Sequence, residues 1–364
     1  MTSVSPSKGH SQPFRHDLLG LRRRMLGLSQ VELAEKARIG QGTLSKIEQG
    51  LKEVSEEVAE CFGDALDCPP SFFYQAEREY GPPMSAHPPF RKKASVGQKL
   101  LEKVVADFNV RIGHVRTLLR AVELEPELQL PCYDIEDFDG DIEAIAANVR
   151  RAWYAPRGPI SSLTEYAERA GCIVVLCDMQ AAKIDGACYR IAGLPPVIFL
   201  NRHQPSDRMR FSLAHELGHL ILHPYPSPNM EQEADIFASA LLMPAADIGP
   251  ELAGLTLEKA AYMKPVWKVS MAALIVRATT LKKLDASKSA YMWRTMSSKG
   301  YRLREPASLD FEAERPSLMD ALLRNLTEDM GYTEAELAKV LHLHYSELTQ
   351  MYALPKTTSL KLVR

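Results

Sequence analysis

The spacing of apolar and polar positions along the chain predicts a mainly helical protein interrupted by one short strand-rich stretch. Near the N-terminus, Phe14, Leu18, Leu21 and Met25 recur on one helix face and stop before Gly27. Ser29-Gln30-Val31-Glu32 has the form of a capping box and opens a second helix through Leu33, Ala34 and Ala37. After the turn Arg38-Ile39-Gly40, a third helix is expected over 41–49 with Leu44 and Ile47 inward. A fourth is expected over 55–66, beyond which Pro69 and Pro70 forbid continuation. A long amphipathic helix follows at about 96–123, carrying Val96, Leu100, Val104, Phe108, Ile112, Val115, Leu118 and Leu119, with further helices at 141–153 and 162–170. Residues 171–177 read as a buried strand by their β-branched run, 187–191 alternate as a second and 197–201 are a third. Helices then return at 211–223, 231–244, 256–263, 270–280, 285–297 and 317–329. A small helical pair within 331–352 ends the series, with Thr333 as its cap. The fold class is α+β, mainly helical.

The helix at 211–223 contains His215-Glu216-Leu217-Gly218-His219, flanked by Phe211, Leu213, Leu220 and Ile221. Two histidines four residues apart lie one turn apart on one face, so both imidazoles can reach a single cation. Glu216, rotated by one residue, suits a general base better than a ligand. Gly218 is unfavourable inside a helix unless another element passes close by. A third ligand is expected from the next helix, where Glu231, Glu233 and Asp235 compete. The apolar stripe 233, 234, 237, 238, 241, 242 places Glu233 at its inward edge, so Glu233 is preferred to Glu231, and Asp235 is a candidate for orienting an imidazole. The metal set is therefore read as Zn²⁺ on His215, His219 and Glu233, with Glu216 as the catalytic residue. Tyr189, Arg210 and His223 are further candidates near such a centre, His223 more readily as a helix cap.

Two motif sets carry a resemblance to known families. The stretch 196–201, then Arg210-Phe211-Ser212-Leu213-Ala214-His215-Glu216-Leu217-Gly218-His219, then Glu233-Ala234-Asp235 and Leu242-Met243-Pro244, resembles the ImmA/IrrE family of zinc metallopeptidases over about 90–310. That resemblance implies a zincin-like domain with a small sheet, and cleavage of transcriptional repressors, or of the chain itself, in stress or mobile-element responses. Leu28-Ser29-Gln30-Val31-Glu32-Leu33-Ala34 and Thr43-Leu44-Ser45-Lys46-Ile47-Glu48-Gln49-Gly50 resemble the Cro/phage-repressor (XRE-type) helix-turn-helix family over about 14–74. The expected order is a disordered tail at 1–12, a helix-turn-helix DNA-binding domain at 13–78 and a Pro-rich linker at 79–95. The zinc metallopeptidase domain at 96–250 and a helical C-terminal region at 251–364 complete it.

Charge supports the first of these domains. The chain as a whole carries a formal net charge of −2, whereas residues 1–55 hold nine Lys or Arg against five Asp or Glu. Positive charge is concentrated where phosphates would be met. Gln41, Thr43, Ser45 and Lys46 on the third helix are candidates for base edges, and Ser29 and Gln30 for phosphate contacts. Double-stranded operator DNA is the expected partner, read by a homodimer, beside a protein substrate. In the 331–352 pair, Glu334, Glu336 and Glu347 argue against a second DNA-contacting surface. No apolar stretch reaches the length of a membrane span and the polar N-terminus lacks a signal-peptide core, so no membrane partner and a cytoplasmic location are expected. The six cysteines form no close Cys-x-x-Cys pair and read as buried reduced thiols. The alternative to a peptidase is a regulator whose peptidase-like domain senses a ligand or partner.

Overall fold

A computed structural model describes residues 12–76, 79–83 and 97–352. Most of the expected tail, much of the linker with Arg91-Lys92-Lys93, and Val96 lie outside the described residues. The N-terminal helices form as their caps and apolar faces dictate: α1 (His16–Met25), α2 (Gln30–Lys36), α3 (Gln41–Glu48) and α4 (Glu56–Leu66). Ser29 accepts the Glu32 N–H at 3.2 Å while Glu32 accepts the Ser29 N–H at 2.6 Å, so the capping box of α2 is complete. Leu18, Leu33, Leu44, Ile47 and Phe62 close over a common core, and Phe14, Phe62 and Phe73 stack at its edge. Helix α5 (Gln98–Leu118) then lays Val104, Phe108, Ile112 and Val115 inward and packs on α1. The buried Asn109 side chain binds both backbone groups of Tyr80, pinning the preceding segment to α5.

The second compact unit spans 124–319, together with Pro82 and Pro83. Helices α6 (Ile142–Ala152) and α7 (Leu163–Arg169) precede a three-stranded sheet of β1 (Ile173–Cys177), β2 (Gly186–Tyr189) and β3 (Val197–Asn201) in the order β1-β3-β2. The β1–β3 pair is parallel with Ile173 opposite Val197, and the β2–β3 pair antiparallel with Cys188 opposite Ile198. Central β3 is buried at every position, as an uninterrupted Val-Ile-Phe-Leu run requires, leaving β1 and β2 as edges. Against the sheet pack α8 (Ser206–Leu222) and, across α8, α9 (Met230–Leu242), whose other side meets α6. Helices α10 (Leu257–Trp267), α11 (Met271–Thr280) and α12 (Ala286–Ser298) continue the same core through Met263, Trp267, Leu274, Ile275 and Met292. Buried Lys264 is held by Asp207 at 2.5 Å and Glu305 at 2.8 Å, and buried Arg277 by Glu143. None of the described helices is long and apolar enough to cross a membrane. The six cysteines are all unpaired, but Cys61 and Cys132 are exposed, contrary to the expectation of burial.

The C-terminal helices α13 (Leu318–Arg324), α14 (Glu334–Val340) and α15 (Tyr345–Tyr352) do not extend this unit. Among the described residues, 320–352 and 97–123 cluster with 12–76 and 79–81, so the unit that contains the helix-turn-helix is discontinuous in sequence. This grouping differs from the linear division, which gave helix α5 to the peptidase-like domain and the last helices to a region of their own. The physical reason is a set of buried polar contacts between segments far apart in sequence. Arg22, 1% exposed, places its guanidinium on both carboxylate oxygens of Glu347 at 2.6 and 2.9 Å and on the carbonyls of Leu66 and Asp67. His114, held neutral by burial with its pKa pushed down to about 3, meets the Tyr352 hydroxyl at 2.6 Å.

The α14–α15 pair also repeats α2–α3 position for position. Thr333 and Glu336 form the capping box that Ser29 and Glu32 form, His342 and Arg38 share a left-handed turn, and Leu337, Leu348 and Met351 stand where Leu33, Leu44 and Ile47 stand. A helix-turn-helix geometry therefore occurs twice. In the second copy Glu347, the counterpart of Thr43, is turned onto Arg22. Replacing Glu347 by Ala should destabilise this unit by about 2–3 kcal/mol in denaturant titration, because a buried guanidinium loses its carboxylate, whereas the paired change Arg22→Met with Glu347→Leu should be near neutral.

Candidate functional site

Two separate sites emerge, one on each unit. In the first, Gln41 on α3 donates to the Gln30 side chain at 3.1 Å, and Gln30 donates to Glu48 at 2.7 Å. Glu48 is in turn held by Arg23 at 2.6 Å, which fixes the angle between α2 and α3. Gln41 and Lys46 are exposed, Thr43 and Ser45 half-buried, and Ser45 accepts from Gln49. Ser29 and Gln30 sit at the start of α2, where the N-terminal backbone N–H groups favour an anion. The six residues singled out from the sequence thus lie at the starts of α2 and α3 and along α3.

The second site is built on α8. Its helix is enclosed on nearly every side, and His219 has no exposed surface. The Nε2 atoms of His215 and His219 face each other at 3.0 Å. Glu231, in the first turn of α9, brings one oxygen to 3.6 Å from His215 Nε2 and the other to 3.5 Å from His219 Nε2, and the three residues offer donor atoms all within 4.8 Å of one another. Donors about 2.0–2.2 Å from a tetrahedral zinc lie roughly 3.3 Å from each other, so this set has the right span. Glu231 Oε1 is also buried with no hydrogen bond among the described residues, which suits a ligand atom.

Glu233 does not join this set. It accepts from His223 Nε2 at 2.9 Å and from the Ser227 hydroxyl at 3.3 Å. The structure thus places Glu231, rather than the preferred Glu233, beside the two histidines, and the cause is where the two helices touch. A Cβ on Gly218 would meet the Ala234 Cα at 3.1 Å and Phe237 at 3.2 Å, so Gly218 lets α9 approach through Ala234. The residue one turn before Ala234 on that face is Glu231, and it falls beside the two histidines that flank Gly218. Asp235, expected as an orienting group, meets His215 Nδ1 at 2.8 Å.

Electrostatics follow from this geometry. Burial pulls the His215 pKa down, but the hydrogen bonds to Asp235 and Glu231 and the charge of Glu216 outweigh it and raise it to about 10. Burial pushes Glu231 up, and His215 and His219 more than reverse this, holding it near 2. Glu216 is 3% exposed, and its Oε2 has no hydrogen-bond partner among the described residues. Its Cγ and Oε1 would lie 3.0 and 3.1 Å from a Cβ at Gly186, so a side chain where edge strand β2 begins would press on Glu216. Cys188, on the same strand, is kept a thiol by burial and by the Glu216 charge. Of the other candidates, Arg210 is turned away onto Glu314 and the Ile160 carbonyl, Tyr189 packs edge-on against Phe199, and His223 sits beside His219.

Residues 19–73 match a family model described as helix-turn-helix, and residues 167–279 match one described as IrrE N-terminal-like domain. The chain is thus similar to a helix-turn-helix domain in its first unit and to an IrrE N-terminal-like domain in its second. No curated protein matches it. The second match covers the sheet, α8, α9 and the whole His215–His219–Glu231 cluster, so the IrrE-like domain is metallopeptidase-like in fold. Its ligand-bearing helices depend on Gly218. Gly218→Ala gains about 1 kcal/mol in helix propensity but forces α8 from α9 at a cost of about 1–3 kcal/mol, so a net loss of order 1 kcal/mol is expected in thermal or denaturant unfolding.

Proposed function

We propose that the protein is an operator-bound transcriptional regulator whose IrrE-like domain is a zinc-dependent endopeptidase acting on a repressor or on the chain itself. The observation that carries this reading is the convergence of His215, His219 and Glu231 at the spacing of a zinc site beside the buried carboxylate of Glu216. Zinc held by these three residues would supply the Lewis acid of amide hydrolysis. Glu216, next to them and unsatisfied at Oε2, takes the proton of the attacking water and returns it to the leaving amine. Edge strand β2, which begins against Glu216, offers its free side to an extended peptide. The helix-turn-helix reads DNA with Gln41, Thr43, Ser45 and Lys46 at base edges and Ser29 and Gln30 at phosphates, two copies of the chain binding a pseudo-symmetric site. Work on DNA agrees with the cytoplasmic location expected.

One observation favours the second reading, a non-proteolytic regulator that senses a ligand. A cleft of about 470 Å³ lies between α8, α11 and the 301–310 segment, lined by Phe211, Met243, Val269, Val276 and Tyr301, and Asp235 forms part of its wall. A ligand there would touch the same carboxylate that holds His215.

Incubation of the purified, zinc-loaded protein with proteins encoded beside it separates the readings. Wild type should cleave itself or a repressor, and Glu216→Gln should retain zinc and DNA binding while losing about 10²–10⁴ in rate. Wild type that holds zinc yet cleaves nothing under inducing conditions would establish the second reading. On selected operator DNA, Gln41→Ala should lose about 1–3 kcal/mol with non-operator binding unchanged, whereas Ser29→Ala should weaken both alike, as titrations at fixed salt would reveal.

A further inference from the structure

We infer that Glu233 and His223 are positioning residues for the metal ligand His219, acting through a relay of hydrogen bonds across its ring. The inference rests on the zinc reading of His215, His219 and Glu231. If His219 offers Nε2 to the metal, its neutral ring must carry its proton on Nδ1. That nitrogen lies 3.1 Å from Nδ1 of His223, and both rings are buried, His219 completely and His223 at 2% exposure. His223 Nδ1 must then accept, which puts the His223 proton on Nε2, where Glu233 Oε2 accepts it at 2.9 Å. The reverse assignment fails at both ends: it places a proton on His219 Nε2, among the ligand atoms, and sets the bare Nε2 of His223 against a carboxylate oxygen. The Ser227 hydroxyl, 3.3 Å from the same oxygen, anchors the far end.

Local backbone puts His223 in place. It is the C-cap of α8, with φ −120° and ψ 82°; its N–H still bonds the His219 carbonyl at 3.1 Å, and its ring folds back to 5.2 Å from the His219 ring centre. His215 needs no such intermediary, because Asp235 meets its Nδ1 directly at 2.8 Å. The three acidic residues of α9 thus divide the work: Glu231 faces the cation, Asp235 orients one imidazole and Glu233 orients the other through His223. Such outer partners fix the ring and raise the basicity of the ligating nitrogen, and losing one costs about 10–100-fold in metal affinity.

The test is zinc affinity of the full chain by chelator competition, with histidine ring ¹⁵N spectra of the zinc-loaded wild type. Wild type should show the proton of His219 on Nδ1 and that of His223 on Nε2. His223→Phe should weaken zinc binding about 10–100-fold. His223→Asn, whose carbonyl oxygen can still accept from His219, should restore most of it, and Glu233→Gln should weaken binding in the wild-type background but not in His223→Asn. Wild type that binds no zinc overturns the zinc reading and the relay with it. Wild type that binds zinc with the opposite tautomers, or His223→Phe and Glu233→Gln each within about twofold of wild type, overturns the relay alone. Should His223→Phe fail to fold, the wild-type spectra and His223→Asn decide the matter.

Discussion

The face of α8 that carries His215 and His219 depends on one close approach, the passage of the Ala234 backbone over Gly218. Helix axes usually stand 8–10 Å apart, held off by the side chains between them. Removing the side chain at 218 lets α9 settle against α8 just where the two histidines project, and α9 arrives with the carboxylates of Glu231 and Asp235 within reach of them. A helix carrying His215 and His219 alone presents two ring nitrogens to one side and nothing opposite. The glycine converts that face into half of a closed donor set. Gly186 plays the matching part on the other side, letting strand β2 start in contact with Glu216. Two absent side chains bring the sheet, the base and the ligands together.

The first unit obeys a different constraint. Its parts are joined by buried charge as much as by apolar packing, since the Arg22 guanidinium reaches two adjacent carbonyls and a carboxylate from two other regions of the chain. Such a pair is weak evidence for stability, because its Coulomb gain is spent on desolvation, but it is demanding about geometry. It fixes which face of the C-terminal pair turns inward. The second helix-turn-helix geometry therefore has its Glu347 committed to the first, and the acidic surface that argued against DNA contact has a structural use.

Most of the elements and the chemistry were legible in the sequence, because each had a local cause. Ser29 and Glu32 cap by spacing alone, the β-branched runs became β1, β2 and β3, and two histidines at four-residue spacing must share a face. What was not legible depended on contacts between segments. Glu231 and Glu233 lie on opposite flanks of Ala234 in a period of 3.6, and only the register of Ala234 on Gly218 decides which flank meets the histidines. Helix α5 carries an apolar stripe that would serve either domain, and nothing near it in the chain says that α1 is its partner. The repeat of α2–α3 by α14–α15 was hidden by sequence change at nearly every exposed position, while caps, turn and buried leucines stayed in step.

The charges around α8 point to the kind of occupant the site favours. Glu231, Glu233, Asp235 and Glu216 crowd a region where His219 and His223 have almost no contact with solvent. Burial alone would expel charge from such a place, yet His215 is drawn toward its protonated form, up to about 10, and Glu231 toward its ionised form. The field of the carboxylates therefore exceeds the desolvation cost of one positive charge. A dication with four preferred directions answers the same field with twice the charge and three donors already spaced for it, at the cost only of releasing the proton. The pull that raises the histidine's pKa is thus the pull that would bind zinc, and the proposed relay through His223 would keep the second imidazole's lone pair aimed at that charge.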